Sequence, residues 1–129
     1  MKKVIDKERL SRRHIGAMGE ELAATYLQRK GYRIIERGFR TRYGEIDIIA
    51  VDGNVIAFIE VKMRRSETCG VPGDALDQRK RVRIAGMANH FISMKRWDDR
   101  ICRFDTVLIS ATCDGSYEVE LIKDAFRME

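Results

Sequence analysis

Acidic residues set inside apolar strands constrain this chain more than any other feature. The segment Gly44-Glu45-Ile46-Asp47-Ile48-Ile49-Ala50 leads to a turn at Asp52-Gly53-Asn54 and returns through Phe58-Ile59-Glu60-Val61-Lys62. The pattern predicts a hairpin of two mostly apolar strands. Ile46, Ile48, Ile49, Val51, Val55, Ile56, Phe58, Ile59 and Val61 supply apolar residues to both faces, so the pair is expected inside a sheet covered on both sides. Charged residues are depleted in strands and seldom buried without a partner. Those found here belong in a cleft or at a strand end.

Side chains alternate faces along a strand. Alternation puts Glu45, Asp47, Ile49 and Val51 on one face of the first strand, opposite Ile46, Ile48 and Ala50. On the second, Ile56, Phe58, Glu60, Lys62 and Arg64 point together. With Gly53-Asn54 as the two-residue loop, Asp47 lies directly across from Glu60. With Asp52-Gly53 as the loop, the stronger type I′ signal, Glu45 opposes Glu60 and Asp47 is diagonal to it. Either register leaves two carboxylates facing each other beside Lys62. Directly opposed like charges are destabilising, and a hard cation coordinated by oxygens reverses the sign of that interaction.

The chain has 129 residues, 44% hydrophobic and 35% charged, which fits one globular domain able to bury a core. There is no repeat, no low-complexity tract and no apolar run near the length of a membrane span. The expected location is the cytoplasm. Three cysteines (Cys69, Cys102, Cys113) and two lone histidines (His14, His90) point to neither a disulfide framework nor a zinc cluster. The formal net charge is +5, and the basic residues are clustered. Residues 1–11 form a basic N-terminal arm. Arg33, Arg37, Arg40 and Arg42 approach the hairpin, Arg64 and Arg65 leave it, and Arg79, Lys80, Arg81 and Arg83 open the next helix. Three of these clusters flank the acids in sequence, as expected for a polyanion laid across them. Contacts from Arg40, Arg42, Arg64, Arg65 and Lys80 to phosphates would position a nucleic acid without reading its sequence.

A helix is expected from about Ser11 to Lys30, with Gly31 as its stop. On it, Glu20 lies one turn from Gly16 and Ala24, small residues that let this side approach the sheet. On periodicity alone, however, Glu20 reads as an exposed carboxylate. A short strand is expected over Tyr32–Glu36 before the hairpin. Residues 66–73 read as a loop beside the acids, and a second helix, capped by Asp74 or Asp77, runs to about Ser93. Strands are expected over Arg103–Ser110, central in the sheet by its apolarity, and over Tyr117–Ile122. Asp105 interrupts the first of these and reads as a cap or turn residue, with an approach to the acids as the alternative. The order gives an α/β domain around a mixed sheet, with a helix connecting strands across it.

Two carboxylates and a lysine beside a metal suit phosphodiester hydrolysis. Asp47, Glu60 and the backbone carbonyl of Val61 would supply oxygen ligands for Mg²⁺ or Mn²⁺. Lys62 would orient a water or stabilise developing negative charge, and Glu20 would bind a second ion or a coordinated water. No Ser or Cys sits in a nucleophile motif, and there is no phosphate-cradling Gly-rich loop.

Asp47, a twelve-residue interval and then Glu60-Val61-Lys62 resemble the D…E-x-K signature of the PD-(D/E)XK nuclease superfamily, whose members share a restriction-endonuclease-like αβββαβ core. More narrowly, Gly16-x-x-Gly19-Glu20, Gly31-Tyr32, Gly44-Glu45-Ile46-Asp47-Ile48-Ile49-Ala50, Glu60-Val61-Lys62 and Arg103-Phe104-Asp105 resemble the YraN-like family of bacterial predicted endonucleases, akin to archaeal Holliday-junction resolvases. The resemblance spans roughly residues 12 to 125. It implies metal ligands at Asp47 and Glu60, a catalytic Lys62 and a first-helix acid at Glu20. Two positions depart from the pattern: Ile46 rather than proline precedes Asp47, and Gly38 stands where this family usually has asparagine.

The leading expectation is a metal-dependent endonuclease acting on DNA, with branched or junction DNA as the candidate substrate. One alternative is a nucleic-acid-binding module that keeps the fold without cleaving. Another is a subunit active only with a partner or as a homodimer, as symmetric junction cutting requires. The opposed carboxylates favour the enzyme, because a pure binder gains nothing from acids that repel phosphate.

Overall fold

The computed structural model describes residues 12–65, 78–112 and 114–126. The basic arm, the loop at 66–73, the capping positions Asp74 and Asp77, Cys69 and Cys113 lie outside them. The element order is α1 (Arg12–Arg29), β1 (Arg33–Thr41), β2 (Gly44–Asp52), β3 (Val55–Arg65), α2 (Gln78–Lys95), β4 (Ile101–Ala111) and β5 (Tyr117–Phe126). The strands form one sheet in the order β1-β2-β3-β4-β5. β3 and β4 run parallel, joined across α2, and the other neighbouring pairs are antiparallel. This is the mixed α/β sheet expected of a restriction-endonuclease-like core, with β5 added beside β4.

Each face of the sheet buries one helix. Ala23, Ala24 and Leu27 of α1 pack on Ile48, Ala50, Ala57, Ile59, Val107 and Ile109. On the other face, Ile84, Met87, Ala88 and Phe91 of α2 pack on Phe39, Ile46, Ile49, Ile56 and Phe58. This two-sided burial accounts for the near-continuous apolar character of β2 and β3. One side chain departs from strict alternation. Ile46 joins the α2-side cluster with Ile49 rather than the α1-side cluster with Ile48, at the point where β2 no longer pairs with β3.

Two local features hold α1 where it lies. Tyr32 N–H donates to the Leu27 carbonyl at 3.0 Å and Gly31 N–H to the Gln28 carbonyl at 3.1 Å, a Schellman stop with Gly31 at φ +93°. At Gly19 a Cβ would lie 2.5 Å from the Met63 sulfur, so the absence of a side chain lets α1 sit close over β3. The short strand expected before the hairpin is longer than its apolar pattern, reaching Thr41, with a bulge between Ile34 and Glu36.

The turn follows the weaker of the two signals. Asp52 pairs with Val55, which leaves Gly53-Asn54 as the loop. Gly53 has φ +61° and Asn54 is not in the positive region, the pattern of a type II′ turn. Asp52 stays in the strand, where Arg103 Nη2 donates to its Oδ2 at 2.9 Å and Lys123 Nζ at 3.3 Å. The Arg103 hydrogen bond holds the Asp52 carboxyl below its ordinary range.

Arg103 also grips Asp105, with Nε donating to Oδ1 at 2.7 Å and Nη2 to Oδ2 at 2.8 Å. Tyr32 Oη and the Asp124 amide donate to the same buried carboxylate. Asp105 therefore anchors the residue after α1 to β4 and β5 instead of joining the acids of the hairpin. Burial, followed by Asp105, raises the Tyr32 hydroxyl pKa, so it remains a donor. Removing one partner of a buried pair leaves the other uncompensated. Asp105→Ala should lower unfolding free energy by about 3 kcal/mol in urea denaturation, and a loss below about 1 kcal/mol would contradict the clamp.

Candidate functional site

The pairing of β2 with β3 ends at Ile48 and Ile59. Beyond it, β3 continues to Arg65 alongside β4, while β2 continues toward Gly44 alongside β1. One step past the last pair, Asp47 stands at the mouth of this fork opposite Glu60. Its Oδ2 accepts from the Val61 amide at 2.9 Å, replacing the main-chain partner that β2 no longer offers. The N–H and C=O of one strand residue project to the same side, so the Val61 carbonyl faces the same gap.

Three acids converge beside the fork. One carboxylate oxygen from each of Glu20, Glu45 and Asp47 lies within 4.8 Å of the others. Glu20 comes from α1, whose approach is set by Gly19, and so departs from the exposed position that periodicity predicts. Glu45 and Asp47 come from β2, two residues apart. Glu60 is 8% exposed and is ion-paired with Lys80 of α2. Arg40 Nη2 meets Glu45 Oε2 at 2.9 Å. Lys62, half-buried, follows Glu60 on β3 at the level of Leu108.

The electrostatics follow from this crowding. Burial, and next the charge of Glu60, push the Asp47 carboxyl up to about 7, against the Val61 amide, which lowers it. Burial and then Glu45 raise Glu20, opposed by Arg37. Both shifts favour the protonated form, burial being the larger cause and like charge the next. The site's donors are all oxygen, the chemistry that hard divalent cations prefer and soft ones do not. The residues present fit Mg²⁺ or Mn²⁺.

The basic residues singled out by sequence lie around the acids in different roles. Arg40 and Arg42 are exposed near the tip of the β1–β2 hairpin, and Arg42 lies 4.9 Å from the Tyr43 ring centroid. Arg64 Nε makes a long contact, 3.4 Å, to Ser110 Oγ on β4. Arg65 closes β3. Lys80, read from sequence as a phosphate contact, holds Glu60. Sequence reasoning placed Glu45 opposite Glu60 only in the register that is not adopted and did not count it among the metal ligands, although its place two residues before Asp47 on an alternating strand was the available signal. Gly38 has φ +65°, and a Cβ there would lie 3.5 Å from Glu45 Oε1. Asparagine, which the family resemblance implies at this position, is one of the few other residues at ease in that conformation.

Two outcomes test this geometry. Gly38→Asn should leave stability nearly unchanged and Gly38→Val should cost about 1–2 kcal/mol; equal costs in urea denaturation would contradict the conformational argument. The Asp47 carboxyl binds its proton more tightly folded than unfolded. It therefore stabilises the metal-free fold at acid pH, and that contribution is lost as pH rises through about 7. Between about pH 4 and pH 8, chelator-treated wild type should lose about 3 kcal/mol more than Asp47→Asn. Superimposable pH–stability profiles would contradict it.

Comparison with known proteins gives the chain a family. The description "Uncharacterised protein family UPF0102" matches residues 19–109, which include the fork and all four acids. A UPF0102 protein of Syntrophus aciditrophicus is 47% identical over 113 residues, 88% of each chain. Another, from Symbiobacterium thermophilum, is 43% identical over 114 residues, 88% of this chain and 97% of the relative. A third, from Moorella thermoacetica, is 42% identical over 118 residues, covering 91% and 98%. The chain belongs to the uncharacterised protein family UPF0102.

Proposed function

We propose that this protein is a Mg²⁺- or Mn²⁺-dependent endonuclease that hydrolyses phosphodiester bonds in DNA, with branched or junction DNA as the substrate class. The observation that carries the reading is the convergence of Glu20, Glu45 and Asp47 oxygens within 4.8 Å at the mouth of a fork between strands, with Glu60 near enough to raise the Asp47 carboxyl and Lys62 two residues further along β3. Asp47, Glu60 and the Val61 carbonyl would hold the ion, with Glu45 as a further oxygen donor. Such an ion, when bound, supplies Lewis-acid polarisation of a phosphate and lowers the pKa of water.

The remaining work falls to the chain. Lys62 orients the attacking water or stabilises charge developing on the phosphate. Glu20 holds a second ion or a coordinated water. The exposed Arg40 and Arg42 take the backbone of the nucleic acid, and Arg64 and Arg65 extend that contact along β3. Lys80 neutralises Glu60, and with Glu60 engaged by an ion it would be available to a phosphate. Symmetric cutting of a junction requires two such sites and hence a homodimer.

The Lys80–Glu60 ion pair also supports a second reading, a module that binds nucleic acid without cleaving it, because it gives Glu60 a counterion with no metal. Labelled linear duplex, single-stranded and four-way-junction DNA separate the two. With Mn²⁺ or Mg²⁺, wild type should cleave at least one of them, and Lys62→Ala and Asp47→Asn should each lower the rate by about 10²-fold or more. Binding without cleavage on every substrate and with both metals would select the non-catalytic reading.

A further inference from the structure

A cavity of about 880 Å³ opens between the tip of the β1–β2 hairpin and α2. Its lining includes Arg42, Tyr43, Val82, Arg83, Met87 and Met94. Tyr43 is 61% exposed, Val82 51% and Met94 56%, an unusual concentration of open apolar surface for one end of a small domain. Gly86, also in the lining, lies inside α2, where glycine costs stability relative to alanine. Among the described residues, a Cβ there would meet no atom within 4 Å, so packing against them does not require the glycine. Its effect is to keep the cavity open against the helix.

The charge of this groove identifies its occupant. Among the described residues that line it, none is acidic, and Arg40, Arg42 and Arg83 carry positive charge. Arg42 donates from Nη2 to Tyr43 Oη at 2.6 Å and lies over its ring, giving a flat aromatic and cationic face. A second copy of the chain is disfavoured, since a two-fold contact would set these arginines against arginines. Tyr43, Arg83 and Met87 also line a smaller depression of about 240 Å³ that contains Glu45 and Lys80, so the groove leads into the acidic site. We infer that the groove receives an unpaired nucleotide of the DNA substrate, its base against Tyr43 and the methionines and its phosphate on Arg42 and Arg83. This rests on the nuclease reading for the identity of the polymer and adds that the substrate has single-stranded character next to the cleaved bond.

Binding without divalent metal tests it independently of cleavage. Fluorescence anisotropy in chelator would compare a blunt duplex with the same duplex carrying a single-stranded tail. Gly86→Leu fills the groove while improving helix propensity, so its Tm should rise by about 3 °C. Its affinity for tailed DNA should fall about ten-fold more than its affinity for blunt DNA, and Tyr43→Ala, which removes a stacking surface, should do the same. Equal losses on both DNAs, or no loss, would overturn the inference and leave the nuclease reading to the cleavage assay. Wild type that binds neither DNA would overturn both. A change of oligomeric state in Gly86→Leu would overturn it in favour of a contact between copies.

Discussion

The parting of β2 from β3 after Ile48 and Ile59 governs everything that follows in this molecule. Up to that pair, the two strands share a ladder and bury both faces. After it, each keeps its outer neighbour and loses the other, leaving main-chain groups of β3 without a strand partner. Asp47 answers one of them through the Val61 amide. An unsatisfied amide in that position would be costly, so an acid there has a structural role before any chemistry is considered. The same fork gives Glu20 of α1 a place to meet β2, because α1 can descend over β3 at Gly19.

Concentrated negative charge is the consequence, and the protein balances it only in part. Arg40 attends Glu45 and Lys80 attends Glu60. Asp47 is left with an amide and with neighbours of its own sign, and its carboxyl rises to about 7. Opposed carboxylates that resist ionisation together are a poor way to stabilise a fold and a good way to receive a cation. The contrast with Asp105 is instructive. That carboxylate is more deeply buried but is surrounded by Arg103, Tyr32 and the Asp124 amide, a closed network with no remaining need of a metal.

Much of this was legible in the sequence because burial on both faces and alternation are local signals. The strands, the two helices and the proximity of Asp47 to Glu60 follow from residue type and spacing. The turn was ambiguous locally, and it was decided by distant residues. Arg103 and Lys123 hold Asp52 within its strand, which outweighs the Asp-Gly preference for the other register. Glu20 illustrates the same limit, since helical periodicity describes α1 but not how closely it approaches β3. The pairing of Lys80 with Glu60 joins residues through a crossover helix, where no spacing rule applies. Ile46 changed face where β2 parts from β3 while staying paired with β1, a break that alternation alone does not foresee.

In the proposed mechanism the fork gathers its acids to hold a divalent cation. Calorimetric titration of the chelator-stripped protein with Mn²⁺, near pH 6 and near pH 8, tests it most directly. Wild type should bind Mn²⁺ more tightly at the higher pH and release protons on binding near pH 6, because the Asp47 carboxyl must ionise to coordinate. Asp47→Asn should lose most of that affinity. Absence of Mn²⁺ binding, or binding indifferent both to pH and to Asp47→Asn, would contradict the account.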